Sequence, residues 1–215
     1  MLLNLGKALK QRLSLPLPGS DAQHKMAHAE RRINLARLKI PENPRMGAVL
    51  ILLYEVNGTV RFPLIVRSVY EGVHSGQVAL PGGGIESVDK NLEATSIREA
   101  VEETGIEKKQ VEILGRLSEL YIPPSNFLVT PFIGMYSGKP VFVPHAREVV
   151  QIVEMDMEKL MDEKLIREKN IRLSSGMNIL TPYFDFDGLT VWGATAMILS
   201  EFKSVLFEIE NQFEE

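Results

Sequence analysis

Pro81-Gly82-Gly83-Gly84 and, a short way downstream, Arg98-Glu99-Ala100-Val101-Glu102-Glu103-Thr104-Gly105-Ile106 decide how this sequence reads. The second stretch closes a segment, 92–104, in which Ala94, Ile97, Val101 and Thr104 recur at helical spacing. Gly105 stands where a C′ glycine ends a helix, with apolar Ile106 next. On that helix Glu99, Glu102 and Glu103 occupy positions i, i+3 and i+4 and project from one side. Like charges at these spacings disfavour an isolated helix by about 0.2–0.5 kcal/mol per pair. They also lie in its C-terminal half, where the macrodipole opposes them. Mg²⁺ or Mn²⁺, hard ions that prefer carboxylate oxygen, would neutralise them and bridge to a phosphate. A glycine-rich loop just upstream lets backbone groups approach either one closely. A solvated acidic face and a flexible turn would explain each feature singly; their combination at this spacing favours a metal site.

Outward from this centre, 48–55 and 60–67 are β-rich runs joined by Asn57-Gly58, a hairpin signal. Residues 68–75 read as a loop and 77–80 as a short extended piece stopped by Pro81. Downstream, strands are expected over 111–121 and 127–136, separated by Pro123-Pro124-Ser125-Asn126, and over 148–155. Asp156 would cap a short helix reaching about residue 163; 165–191 reads as β structure with turns at 174–176 and at Asp187-Gly188. A last helix over 194–210 would bury Met197, Ile198, Phe202, Val205 and Leu206. Ahead of the core, an amphipathic helix at 2–13 and a second near 22–32 make residues 1–44 an N-terminal extension packed on a domain of 45–215. The order of elements implies a mixed α/β (α+β) layered domain.

The bulk composition sets limits. The chain has 215 residues, 45% hydrophobic and 24% charged, room for one domain with a full core. A net charge of −4 gives no footprint for nucleic acid. There are no cysteines, so disulfides, thiolate zinc sites and thiol nucleophiles are excluded. Lys7, Lys10 and Arg12 interrupt the apolar N-terminus, and no apolar run approaches the roughly 20 residues of a membrane span. The sequence is read as that of a soluble, cytoplasmic protein with no membrane partner, and a homodimer is left open.

The central stretch also resembles a known family. The Nudix box is Gly-x5-Glu-x7-Arg-Glu-U-x-Glu-Glu-x-Gly-U, with U bulky and apolar, and Arg98–Ile106 is similar to its second half, with Ala100 smaller than usual. The first half departs, since the position of its glutamate is Lys90. The branch that hydrolyses coenzyme A has one extra residue there and an acid-x-x-acid pair, which Glu86 and Asp89 resemble, with Gly83 as the box glycine. Just upstream, Leu64-Ile65-Val66-Arg67-Ser68 and Gly76-Gln77-Val78-Ala79-Leu80-Pro81-Gly82-Gly83 resemble that branch's second motif. There Leu80 replaces the usual Phe, and Gly72 stands where Arg is frequent. The likeness continues through Pro124-Ser125-Asn126-Phe127 and Thr130-Pro131-Phe132 to Trp192-Gly193-Ala194-Thr195-Ala196, covering roughly 15–207.

This resemblance implies a Nudix fold, a mixed β-sheet sandwiched between α-helices. It also implies Mg²⁺- or Mn²⁺-dependent hydrolysis of coenzyme A or acyl-CoA to 3′,5′-ADP and (acyl-)4′-phosphopantetheine. Glu99 and Glu103 would be the principal metal ligands, with Glu102 sharing a metal or water and the Gly83 carbonyl completing a shell. Arg98 would orient one of the acids, or form an ordinary helix ion pair. Glu148 would be a general base, or a solvent-facing glutamate at a strand start. Arg67 would bind phosphate, or form an ion pair at the core edge, and Gly82, Gly83 and Gly84 would approach the substrate. His145 and Arg147 read as an exposed pair within reach of a phosphate; Phe127 and Trp192 read as core. Within the class, ADP-ribose, NADH or dinucleoside polyphosphates are alternative substrates. A non-catalytic Nudix-like regulatory module is the alternative outside it, against which stand the intact Glu99, Glu102 and Glu103 and the lack of a basic winged-helix-like C-terminus.

Overall fold

The computed structural model describes residues 1–33, 39–68, 76–173 and 176–212. In chain order the elements are α1 (Leu2–Leu13), α2 (Gly19–Gln23), α3 (Ala29–Ile33), β1 (Arg45–Val56), β2 (Thr59–Arg67), β3 (Val78–Ala79), β4 (Gly82–Gly84) and α4 (Leu92–Thr104). They continue with β5 (Val111–Arg116), β6 (Leu120–Ile122), β7 (Phe127–Tyr136), β8 (Val149–Asp156), α5 (Met157–Met161), β9 (Ile166–Arg172), β10 (Asn178–Phe186), β11 (Leu189–Trp192) and α6 (Gly193–Gln212).

The main sheet is mixed. β1 runs parallel to β7 over Arg45–Leu53 and antiparallel to β2 and β4, and β8 adds to β2. β1, at the centre of the sheet, is buried on both faces, which explains its near-continuous apolar run. Alternation sorts that run in two. Ala48, Leu50, Leu52 and Tyr54 pack beneath α4 with Ala100, Ile106 and Phe132, whereas Ile51 and Leu53 face the other side with Leu2, Leu9, Met197 and Phe202. The sheet therefore lies between α4 on one face and α1 and α6 on the other. The antiparallel trio β9–β10–β11 leads into α6.

Several local expectations hold for the expected reasons. The hairpin turns at Asn57 (φ 52°) and Gly58 (φ 80°), both left-handed as a two-residue turn requires. Asn91 Oδ1 accepts the Ala94 N–H to start α4, and Gly105 ends it in the left-handed conformation at φ 72°.

Others are revised. The strand expected over 111–121 breaks after Arg116, because the Ser118 N–H and carbonyl turn to the Glu201 and Gln23 side chains instead of a neighbouring strand. The helix near 22–32 is broken at Ala27-His28. Asp156 stands at the start of α5, but its carboxylate binds Arg61 Nε at 2.7 Å rather than capping. The glycine loop is a short strand on β1. The buried stripe of α4 is Thr95, Ser96, Ala100, Glu103 and Thr104, not the Ala94–Ile97–Val101 face. Small residues there let the helix lie close to β4. The 68–75 loop beyond Ser68, with Gly72, and residues 174–175 of the expected turn lie outside the described residues.

The N-terminal helices share the core rather than forming a separate layer. Leu2, Leu9, Met26 and Ala27 belong to one continuous apolar cluster with α6. Glu201, fully buried on α6, accepts N–H bonds from Gly19 (3.0 Å) and Ser118 (3.2 Å) on Oε1 and from Gln23 Nε2 (2.9 Å) on Oε2. Among the described residues no helix is long and apolar enough to cross a membrane.

Candidate active site

β4 and α4 form the centre of the site, joined through side chains at both ends of the glycine strand. At one end the Gly82 N–H donates to Glu103 Oε2 at 2.8 Å, and Arg67 Nη2 donates to the Gly82 carbonyl at 3.0 Å. The same Arg67 nitrogen lies 3.5 Å from Glu103 Oε1. At the other end Arg98 Nη2 donates to the Gly84 carbonyl at 3.0 Å. Between them the bare Gly83 makes room for the Glu99 carboxylate, since a Cβ there would lie 2.3 Å from Glu99 Oε1 and displace it. Gly47 on β1 is more tightly constrained, for its Cβ would lie 2.7 Å from the Gly83 carbonyl oxygen, a backbone atom, and 3.0 Å from the Phe127 ring.

The three glutamates occupy different environments. Glu103 is 1% exposed. Burial raises its pKa to about 7 in spite of Arg67 and the Gly82 N–H, which pull the other way. Glu99 is largely buried and also raised, first by burial, with Glu102 and Glu148 adding to the effect against Arg98. Glu102 is mostly solvent-exposed and accepts from Arg98 Nη1 at 3.0 Å. Their common origin on α4 thus gives one buried acid, one beside the glycine strand and one at the rim. Among the described residues no three acids or histidines are already gathered as a metal cage.

Arg98 does more than orient one acid. It contacts Asp89, Glu99, Glu102 and the Gly84 carbonyl. Asp89, the second acid of the pair upstream of the helix, also accepts from Thr95 Oγ1 and from the Glu86 N–H, which closes the turn before α4. Lys90 occupies the position the general box gives to glutamate, and the neighbouring aspartate provides the ion pair with Arg98.

Glu148 is brought to this cluster by a segment that caps α4. The Val143 N–H donates to the Thr104 carbonyl at 2.9 Å and the His145 N–H to the Glu103 carbonyl at 3.1 Å, satisfying two orphan acceptors at the helix end. Ser68 N–H, next to Arg67, donates to the Glu148 carbonyl at 2.9 Å. The Glu148 side chain is exposed, with His145 Nδ1 3.7 Å from its Oε1. His145 and Arg147 are both exposed. Phe127, expected in the core, is half-buried beside the glycine strand with Arg45 4.2 Å above its ring; Trp192 is half-buried at the end of β11.

Sequence reasoning missed Asp89 as the partner of Arg98, although its acid-x-x-acid spacing was visible. It missed the capping segment altogether, because backbone N–H groups carry no sequence signature.

A family model for the NUDIX domain matches residues 44–173, more than half of the chain. Nudix hydrolase 15, mitochondrial, of Arabidopsis thaliana is 34% identical over 172 residues, 77% of this chain and 60% of that protein, so the chain spans less than two thirds of that relative. The Nudix hydrolase NudL of Pectobacterium atrosepticum is 32% identical over 158 residues, 73% of this chain and 80% of the relative. Among solved structures, a Nudix hydrolase from M. smegmatis, RenU, shares the fold with a TM-score of 0.51 at 16% identity, over 77% of this chain and 88% of the other. The chain belongs to the Nudix hydrolase family.

Proposed function

We propose that this protein is a metal-dependent pyrophosphohydrolase that cleaves the diphosphate of coenzyme A or its acyl thioesters, yielding 3′,5′-ADP and (acyl-)4′-phosphopantetheine. The observation that carries the hydrolytic reading is Glu103. A carboxylate 1% exposed, raised to about 7 by burial and fixed on the Gly82 N–H, is in the condition that a bound cation relieves. The donor set is hard oxygen throughout, as Mg²⁺ or Mn²⁺ requires.

Glu99, Glu103 and Glu102 would hold the ion together with the Gly83 carbonyl; that carbonyl pairs with β1, so it would use its second lone pair. Once bound, the ion supplies neutralisation of the diphosphate charge and a lowered pKa for the attacking water. The residues of the chain supply position. Arg67 fixes Gly82 and Glu103, and its remaining guanidinium N–H groups are suited to a phosphate oxygen. Arg98 fixes Gly84, Glu99 and Glu102, keeping the glutamates in place against their mutual repulsion. Glu148, exposed beside the cluster, would accept the proton of the water. Hydrolysis of a diphosphate demands in-line attack, so such fixed geometry is where the rate enhancement would arise.

The coenzyme A assignment rests on the second motif, whose residues meet at the glycine strand. The Arg67 N–H donates to the Gln77 carbonyl at 3.0 Å, the Gly76 N–H to the Ser68 carbonyl at 3.3 Å, and the Arg67 side chain reaches Gly82. The test is incubation of purified protein with Mg²⁺ or Mn²⁺ and coenzyme A, acetyl-CoA, ADP-ribose, NADH and dinucleoside polyphosphates, with products identified by mass. Release of 3′,5′-ADP from coenzyme A is expected. Turnover of another compound without it would replace the substrate, and no turnover of any would remove the hydrolytic reading.

A further inference from the structure

The connection from β7 to β8 is exposed from Val141 through Glu148 except at Phe142. That ring is half-buried and meets Tyr54 edge-on, with centroids 5.5 Å apart at 66°. Tyr54 is itself fully buried on β1, and its hydroxyl donates to Glu154 on β8 at 2.8 Å. Pro140 and Val149 are the nearest buried residues on either side. Among the described residues, Phe142 is the side chain of this stretch that packs into a hydrophobic cluster. Yet this segment makes three hydrogen bonds that matter to the site: Val143 and His145 donate their N–H groups to the terminal carbonyls of α4, one of them Glu103's own, and the Glu148 carbonyl accepts from Ser68, next to Arg67. Val143 also rests on Gly105, where an added Cβ would lie 2.8 Å from Val143 Cβ.

We infer that Phe142 is a positioning residue for the reaction: its packing on Tyr54 clamps the 141–148 strap to the end of α4 and so holds Glu148 in register with Glu99 and Glu103. This rests on the hydrolytic reading of the same site and adds to it a residue outside the Nudix box. The ring packs on Tyr54 and the apolar cluster beneath α4. Its effect passes through backbone hydrogen bonds, so the loss should appear in turnover rather than in substrate binding. The electrostatic influence of Glu148 on Glu99 and Glu103 agrees with the side chains being neighbours.

The test compares Phe142→Ala, Phe142→Leu and, as a control on the exposed neighbour, Val141→Ala. Two readouts are taken: hydrogen exchange of the Val143 and His145 amides in the metal-free protein, and steady-state kinetics with Mn²⁺ on whichever diphosphate is turned over. Phe142→Ala is expected to abolish protection of those two amides while the β1 and β7 amides stay protected. It should also lower kcat about 10- to 100-fold with little change in KM. Phe142→Leu, which keeps an apolar anchor, should restore most of both, and Val141→Ala should match wild type. Unchanged protection in Phe142→Ala overturns the clamp. Lost protection with unchanged kcat, or a loss confined to KM, overturns its role in positioning. If wild type turns over no diphosphate, the hydrolytic reading and the positioning role fall together, whereas the exchange data still decide whether Phe142 clamps the strap.

Discussion

The guanidinium of Arg98 and the carboxylate of Asp89 meet in a two-pronged pair, Nε to Oδ1 and Nη2 to Oδ2, each at 2.9 Å. The Asp89 side chain is 3% exposed, and Arg98 holds its pKa well below the usual carboxylate range. This pair anchors the turn before the acidic helix and leaves the Arg98 Nη1 for Glu99 and Glu102.

Asp89→Asn should therefore lower stability by about 1–3 kcal/mol, the value of a hydrogen bond to a charged group. Because the folded-state pKa is depressed, the contribution of Asp89 is present above the unfolded pKa of about 4 and is lost as pH falls through the lower folded value. Urea unfolding at several pH values is the measurement. The gap between wild type and variant should be constant from about pH 6 upward and should narrow below about pH 4. A gap that widens in acid would contradict the assignment.

Glu103→Gln should abolish turnover by several orders of magnitude and yet raise the stability of the metal-free protein at high pH. For an acid whose pKa is raised from 4.5 to about 7, the penalty for the buried charge is absent below pH 4.5, grows across that interval and is complete above it. The full penalty corresponds to about 3 kcal/mol. In EDTA, the melting temperatures of wild type and variant should converge near pH 4.5 and separate by pH 8, with the glutamine form higher. Saturating Mg²⁺ should raise wild type far more than the variant.

Two adjacent glycines should respond differently to alanine. At Gly82 the new Cβ would lie 2.3 Å from the Ala48 carbonyl oxygen and 2.6 Å from Val49 Cα, both backbone atoms that cannot move aside; a loss of about 1–3 kcal/mol is expected. At Gly83 the atoms in the way belong to the Glu99 carboxylate, which can swing away. Gly83→Ala should thus keep most of its stability and lose activity. Thermal melts and a diphosphatase assay on both variants distinguish the cases.

The Glu201 anchor predicts what removal of the N-terminal helices does. Deleting residues 1–33 strips the Gly19 and Gln23 donors from a buried carboxylate and uncovers Met197 and Phe202, so unfolding should become markedly easier. Glu201→Gln, which sets an NH₂ group against an N–H donor, should cost about 1–3 kcal/mol and retain the fold. Both follow from urea midpoints.

Local chemistry made much of this architecture legible. Asn57-Gly58, the Gly105 terminus and the helix of Arg98–Glu103 follow from residue type and spacing, and the structure places them accordingly. What sequence could not display is pairing at a distance. Nothing in its sequence neighbourhood marks Glu201 as buried; it is, because α2 folds onto it and supplies its donors. The spacing of Glu99, Glu102 and Glu103 does not tell which of them is buried; Glu103 is, because β4 covers it. The inward face of α4 is polar and small, so hydrophobic periodicity selects the wrong stripe. The strand break after Arg116 has the same origin, a backbone group whose partner is almost a hundred residues away.

The strap that closes the end of α4 has a bearing on how such a chain can vary. Its Val143 and His145 contacts use main-chain N–H groups, so residues other than proline can keep them, whereas the number of residues cannot change. One residue inserted between Phe142 and Glu148 would offset the donors from their carbonyls or carry the glutamate past the cluster. Descendants of this sequence should accordingly keep Phe142, Glu148 and the length of the strap between them, while the residues in between drift in composition.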